Sequence, residues 1–174
     1  MATAGQVAKT DRLALSFLSY ADAEFVLRLL NDPGFLRYIG DKGVRNIADA
    51  RNYLDEGPLL SYATHGFGLF RVALRSDDTP IGICGLLKRD YLDDPDIGFA
   101  LLPDYSGSGY AIEASQAAIE WGRAAFGFTR IVGIVDPDND RSIALLKKLG
   151  MHFERRLRID DDERETSLYS VDYV

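Results

Sequence analysis

The fold of this chain is decided by the segment IGFALLPDYSGSGYA at residues 97–111. An apolar strand leads into a loop of small residues, and the loop opens a helix predicted over residues 110–126. Gly107 and Gly109 let backbone N–H groups approach an anion closely. Because the first N–H groups of the helix and its dipole also attract negative charge, the segment predicts a phosphate-binding cradle at residues 106–111; the alternative is a plain turn.

Two common nucleotide-binding patterns do not fit the cradle. The dinucleotide fingerprint requires a third glycine at position 112, where this chain has Ile112. The P-loop pattern requires a Gly-Lys-Ser/Thr ending, which residues 97–111 do not contain. The spacing therefore disfavours a dinucleotide or nucleotide triphosphate as the ligand.

Outward from the cradle, the hydrophobic pattern changes between strand and helix periods. Residues 2–10 are small and polar, so we expect a flexible N-terminus over residues 1–10, and residues 160–163 are typical of a solvated hairpin turn. Helices that enclose mixed strands predict an α/β or α+β fold, with residues 1–174 in a single domain. Strands are predicted at 13–18, 68–74, 80–87, 96–102, 131–135, 153–159 and 166–173, and helices at 22–30, 47–54, 110–126 and 141–149.

The composition argues against several classes of partner. The chain of 174 residues has a formal net charge of -7, whereas binding to nucleic acid depends on clustered Lys and Arg. No segment approaches membrane-spanning length and no signal peptide is apparent, so we expect a cytoplasmic protein with no membrane partner. His65 and His152 are far apart in sequence, and no metal is expected. Cys84 lies in an apolar run and is expected to be a small buried residue.

The residues from Leu102 to Ala111 resemble the acetyl-CoA motif of the GNAT superfamily of N-acetyltransferases. Further segments resemble, in the same order, the branch related to the ribosomal-protein alanine acetyltransferases; they are residues 31–33, 37–40, 66–68, 80–86, 135–142 and 148–151. The resemblance covers about residues 10–174. It implies a central mixed, mostly antiparallel twisted sheet, splayed between its fourth and fifth strands and flanked by helices.

The resemblance also implies acetyl-CoA as cosubstrate, without a metal. In the family the fourth strand bulges and its exposed edge pairs with pantetheine. The family commonly has a basic residue where this chain has Ser108, but backbone amides carry most of the pyrophosphate contacts, so we expect CoA to bind. The implied cofactor-binding residues are Phe99, Ala100, Leu101, Leu102, Gly107, Ser108, Gly109, Tyr110, Ala111, Asn139 and Ser142.

Two residues are candidates for proton transfer. Asp96 begins the splayed strand and is the candidate base, directly or through water; the alternative is that it belongs to a solvated acidic loop. Many relatives carry a Tyr as general acid at the position of Leu146, so Ser142 is the candidate proton donor, with exchange through water as the alternative. Asn139 is expected to cap the helix that follows it.

The acceptor pocket of the family is covered by its N-terminal helices, which makes Phe35, Tyr38 and Tyr53 candidates for substrate contact; the alternative is that they fill the core. The leading hypothesis is transfer of an acetyl group to a primary amine, on a protein N-terminus or a small molecule, by direct attack on the thioester. The alternative is a catalytically lapsed CoA-binding regulatory or sensor module. The sequence leaves the acceptor open, and it leaves open whether the protein is a monomer or a homodimer.

Overall fold

The computed structural model describes residues 5–159 and 164–174, so residues 1–4 and the predicted turn at 160–163 lie outside the described residues. The described residues form an eight-stranded sheet in the order β1-β2-β3-β4-β5-β6-β8-β7. The strands are β1 (Gln6–Lys9), β2 (Leu13–Phe17), β3 (Leu69–Leu74), β4 (Pro80–Leu87), β5 (Asp96–Leu101), β6 (Arg130–Val135), β7 (His152–Arg158) and β8 (Glu165–Asp172). Each predicted strand is confirmed, although β7 is largely polar and exposed and carries no continuous apolar run.

Strand β1 corrects the expectation of a flexible N-terminus for Gln6–Lys9, whereas residues 1–4 lie outside the described residues. Gln6–Lys9 pair antiparallel with β2, with an irregularity in the register between Gln6 and Ala8. Val7 and Ala8 pack against the core. The strand is too short to show a period of its own, and pairing with β2 and packing against α5 hold it in place.

The helices are α1 (Ala23–Leu30), α2 (Pro33–Tyr38), α3 (Ile47–Leu54), α4 (Leu60–His65), α5 (Tyr110–Phe126) and α6 (Asp140–Lys148). The sequence predicted α1, α3, α5 and α6 but not α2 or α4. Asp32 caps α2 by accepting from the N–H groups of Gly34 and Phe35, so the Asp-Pro-Gly segment starts a second helix instead of only ending the first. No helix in the described part of the chain is long and apolar enough to cross a membrane.

The predicted splay is confirmed between β5 and β6. These are the fourth and fifth of the predicted strands, since β1 was not predicted. Neighbouring strands pair antiparallel throughout the sheet, except for the parallel pair β5 and β6. Six residues of β5 pair with β4, whereas on its other edge β5 pairs with β6 only where Asp96 lies opposite Val132. The two strands therefore diverge beyond this point and leave a gap in the middle of the sheet.

Each face of β5 packs on a separate hydrophobic core. Phe99 and Leu101 pack on the core beneath α5, which includes the fully buried Phe70. Ala100 and Leu102 pack on the core formed with α1 and α3. This alternation is the period of two expected of a strand covered on both sides. Cys84 is fully buried in the first core, as predicted, and burial raises the pKa of its thiol to about 12.

Candidate cofactor and active site

The edge of β5 that faces β6 carries open backbone donors. Leu102 donates its N–H to the carbonyl oxygen of Ile81 on β4, at 2.8 Å. Because backbone groups alternate sides along a strand, Ala100 also directs its N–H to β4, whereas Phe99 and Leu101 direct theirs to the gap. The bulge expected in this strand is not found along Asp96–Leu101, where the register with β4 is unbroken. Of the four residues expected to supply donors, Phe99 and Leu101 therefore have the suitable orientation.

Asp96 ends the ladder between β5 and β6. The N–H of Val132 donates to the carbonyl oxygen of Pro95 at 2.9 Å. In a continuing parallel ladder the N–H of Ile134 would donate to a backbone carbonyl of β5. It donates instead to Oδ1 of Asp96, at 3.3 Å. A side chain thus replaces a backbone acceptor at the point where the two strands separate.

The environment of Asp96 is buried and charged. Its side chain is 1% exposed, and its Oδ2 accepts a hydrogen bond from Nε of Arg89 at 2.6 Å. Burial raises the pKa of Asp96 to about 6, although Arg89 and the Ile134 N–H act in the opposite direction. Asp96 is therefore separate from the exposed Asp90 and Asp93 of the preceding loop. Its role as a base stays a prediction.

The cradle has the backbone geometry of an anion site. Gly107 and Gly109 have φ values of 81° and 82°, a left-handed conformation that favours glycine. Gly109 is the N-cap of α5, and the N–H of Glu113 is the first to bond back to it. The preceding N–H groups of the helix, including those of Tyr110 and Ala111, therefore have no acceptor within the helix. Residues 106–109 are exposed, so a ligand can reach these donors.

The sequence did not indicate that Arg12 belongs to the cradle. Its guanidinium lies 4.3 Å from the ring centre of Tyr110, and its NH1 group donates to the carbonyl oxygen of Ser108 at 2.9 Å. Glu113 holds it through a hydrogen bond of 2.7 Å from Nε. Arg12 and Glu113 are 101 residues apart in the chain, so no local pattern could reveal this contact.

Glu113 also fastens the β1–β2 turn to α5. Its Oε1 accepts from the hydroxyl of Thr10 at 2.6 Å and from the backbone N–H of Arg12 at 3.1 Å. Burial acts to raise the pKa of Glu113, but the hydrogen bonds from Thr10 and Arg12 outweigh it and lower the pKa. The glutamate therefore remains ionised and serves as an anchor.

Helix α6 forms the opposite side of the gap. Oδ1 of Asn139 accepts the N–H of Ser142 at 3.2 Å, which confirms the predicted cap. Both residues are half-buried. Leu146 is 1% exposed and packs against Gly133, where an added Cβ would lie 2.8 Å from Cδ2 of the leucine. Leu146 is a core residue that cannot donate a proton, and the role of Ser142 as donor stays a prediction.

The three aromatic acceptor candidates lie in different environments. Phe35 is 6% exposed and belongs to the core formed with α1 and α3. Tyr38 is half-buried, with the guanidinium of Arg37 at 4.8 Å from its ring centre. Tyr53 lines a groove of about 350 Å³. Among these three, Tyr53 is placed to contact a ligand in a groove.

The charge of Arg89 acts both on Tyr53 in this groove and on Asp96 of β5. Burial raises the pKa of Tyr53, and the charge of Arg89 lowers it, while the same guanidinium pairs with Asp96. The groove wall itself carries both signs of charge, from Lys42, Asp49 and Glu56. Sequence reasoning did not identify Arg89.

Among residues 5–159 and 164–174, no group of three His, Cys, Asp or Glu side chains could hold a metal ion.

Comparisons with known proteins agree with this geometry. Residues 12–152 match the family described as the acetyltransferase (GNAT) domain. The uncharacterised N-acetyltransferase YnaD of Bacillus subtilis is 30% identical over 145 residues, which cover 83% of this chain and 82% of that protein. A GNAT-family acetyltransferase from Bacillus anthracis superposes with a TM-score of 0.79 at 25% identity, covering 96% of this chain and 98% of that one.

A further structural neighbour shares the fold at low identity. The ribosomal L7/L12 α-N-protein acetyltransferase RimL, solved in complex with coenzyme A, superposes with a TM-score of 0.82 at 14% identity. The superposition covers 97% of this chain and 98% of RimL. The matched domain, the identity to named N-acetyltransferases and the splayed sheet agree with one another. The chain belongs to the GNAT family of acetyltransferases and is an acyltransferase.

Proposed function

We propose that this protein transfers an acetyl group from acetyl-CoA to a primary amine by direct attack on the thioester. The observation that carries the proposal is the open edge of β5, which ends in a glycine cradle with unpaired helix N–H groups. An extended ligand with phosphates at one end matches donors along a strand followed by an anion site. The acceptor is a protein N-terminus or a small-molecule amine.

The proposed cofactor contacts divide between backbone and side chains. Gly107, Ser108 and Gly109, with the first N–H groups of α5, hold the phosphates, and α6 contributes Asn139 and Ser142. Phe99 and Leu101 direct N–H groups to pantetheine and to the thioester oxygen, where negative charge develops. Bound acetyl-CoA supplies the acetyl group: a C–N bond forms as the C–S bond breaks, the amine loses one proton and the sulfur gains one.

Proton removal is assigned to Asp96 acting through water. Its oxygens accept hydrogen bonds from Arg89 and from the Ile134 N–H, and the side chain is 1% exposed, so an amine is not expected to contact it directly. With a pKa of about 6 the carboxylate is ionised at neutral pH and can receive a proton. Ser142 is assigned as the donor to sulfur, with exchange through water as the alternative route.

An acceptor screen tests this function. The purified protein is incubated with labelled acetyl-CoA and a panel of peptide N-termini, amino acids, polyamines and aminoglycosides. We expect the wild type to label at least one amine of the panel. The Gly109→Glu variant, whose added side chain fills the cradle, is expected to label none. Failure of the whole panel, together with calorimetric binding of acetyl-CoA, contradicts the proposed transfer.

The second candidate function, a CoA-binding regulatory or sensor module, rests on Leu146 and Asp96. Leu146 cannot donate a proton, and Asp96 is 1% exposed, so it is not placed to contact an amine directly. Turnover measurements separate the two functions. Slow turnover that Asp96→Ala and Ser142→Ala leave unchanged, alongside tight CoA binding, favours the module, whereas a clear loss in either variant favours the enzyme.

A further inference from the structure

Two arginines from distant parts of the chain flank the cradle glycines. NH2 of Arg12 lies 3.3 Å from the position that a Cβ would take on Gly109, and NH2 of Arg141 lies 3.9 Å from the corresponding position on Gly107. Arg12 comes from the turn between β1 and β2, and Arg141 is the second residue of α6. In a chain of net charge -7, two guanidinium groups thus meet at one short loop.

The guanidinium of Arg12 is fixed in place before any ligand binds. Glu113 engages its Nε and NH2 groups, NH1 donates to the carbonyl oxygen of Ser108, and the plane lies on the ring of Tyr110. These contacts use three of the five N–H groups of an arginine and leave two donors. The side chain is 44% exposed, so the remaining donors are accessible. Little side-chain entropy remains to be lost when they bind an anion.

Arg141 contributes charge from the opposite side. The cap formed by Asn139 fixes the start of α6 beside the cradle, and Arg141 is exposed there. No salt bridge joins Arg141 to an acid within the described ranges 5–159 and 164–174. Its fork of donors is therefore available for a phosphate, which arginine binds in a bidentate manner.

We propose that Arg12 and Arg141 form a clamp that binds the phosphate groups of acetyl-CoA from the two sides of the cradle. This inference rests on the proposed function, and it assigns two residues that the cradle motif does not contain. The clamp supplies the positive charge that is missing at Ser108, where relatives commonly have a basic residue. Coenzyme A carries a pyrophosphate and a 3′-phosphate, so each arginine can bind a different phosphate group.

Calorimetric titration with CoA and with dephospho-CoA, which lacks the 3′-phosphate, tests the clamp without relying on activity. We expect Arg141→Gln to weaken CoA binding about tenfold, the usual effect of losing one hydrogen-bonded charged contact. Lys147→Gln is the matched control, because it removes one exposed charge from the same helix about 9 Å farther along its axis. This control is expected to bind CoA like the wild type.

Arg12 needs a second variant because its contacts with Glu113 also hold the β1–β2 turn. Arg12→Gln is expected to weaken CoA binding about tenfold, and Arg12→Lys, which keeps the charge but loses the fork, to weaken it less. A thermal melt of each variant shows whether the fold is retained. Both arginine variants are also expected to reduce the sensitivity of CoA binding to NaCl, which a purely structural role would not change.

The outcomes are distinguishable. If an arginine variant loses affinity for CoA but not for dephospho-CoA, that arginine binds the 3′-phosphate. If the variant loses affinity for both compounds equally, that arginine binds the pyrophosphate. Both results support the clamp. Wild-type affinity and salt dependence in folded Arg12→Gln and Arg141→Gln overturn it while leaving the proposed function intact. If the folded wild type binds neither compound, the proposed function fails, and the clamp fails with it.

Discussion

The cofactor side and the acceptor side of β5 are built in different ways. On the proposed cofactor side, one continuous segment of the chain supplies the strand edge, the cradle and the start of α5, and distant segments add only side chains such as those of Arg12 and Arg141. On the proposed acceptor side, Tyr53 comes from α3, and Arg89, whose charge lowers the pKa of Tyr53, comes from the loop after β4. Backbone-built sites can therefore be identified from a contiguous motif, and they place few demands on side-chain identity.

The largest expected effect is on the cofactor side. Gly109→Glu should weaken acetyl-CoA binding at least about 1,000-fold, because it combines left-handed backbone strain with a negative charge inside an anion site. The measurement is calorimetric titration. Gly127→Glu is the control at the other end of α5: its φ is 69° and nothing lies within 4 Å of the added Cβ. Equal binding losses in the two variants would mean that the cradle does not hold the cofactor.

The next prediction concerns Asp96, which lies where the two sides meet. Its folded-state pKa of about 6 exceeds the ordinary value of 3.8, so the folded protein binds this proton more tightly than the unfolded chain does. The stabilisation from this carboxyl is fully present below about pH 3.8 and is lost as pH rises through about 6. A shift of about two units corresponds to a loss on the order of 3 kcal/mol.

Chemical denaturation of the wild type and Asp96→Asn at several pH values measures this contribution. The difference in free energy of unfolding, wild type minus variant, should fall by on the order of 3 kcal/mol between about pH 4 and pH 7. Other titrating groups cancel in the difference. If the free energies of unfolding of the two proteins change with pH in parallel, Asp96 has an ordinary pKa and water fills the gap beside it.

A smaller effect is expected for the proton donor. Ser142→Ala should lower kcat on the order of tenfold, less than the usual effect of general acid catalysis, because a thiolate leaves readily. Ser142→Thr, which keeps a hydroxyl, should recover most of the rate. Steady-state kinetics with a labelled amine provide the measurement. A rate that both variants leave unchanged assigns the proton to water.

The smallest effect is expected on the acceptor side. Tyr53→Phe should raise KM for the amine about threefold through the loss of one neutral hydrogen bond, with the affinity for acetyl-CoA unchanged. Tyr20→Phe is the control, since Tyr20 bonds to Asp55 and does not line the groove. A change in acetyl-CoA affinity, with KM for the amine unchanged, would show that Tyr53 belongs to the cofactor side.

The difference between the two sides also explains what the sequence could reveal. The bounds of α5 were predicted from helical periodicity, and in the structure Gly109 and Gly127 end the helix in left-handed conformations. Arg12 could not be predicted, because its partner Glu113 is 101 residues away in the chain. Strand β1 was missed for a different reason: it pairs with the nearby β2 but is too short to show a period of its own. The burial of Asp96 was likewise hidden, since the loop before it contains the exposed acids Asp90 and Asp93 and since Arg89 contacts it only in the folded protein.

The anchoring of the β1–β2 turn by Glu113 has a practical consequence for handling the protein. Thr10 and Arg12 are bound to the helix whose first turn forms the cradle, so occupancy of the cradle and order at the turn are linked. Trypsin cuts after Lys9 and Arg12, and acetyl-CoA should slow cleavage at both bonds.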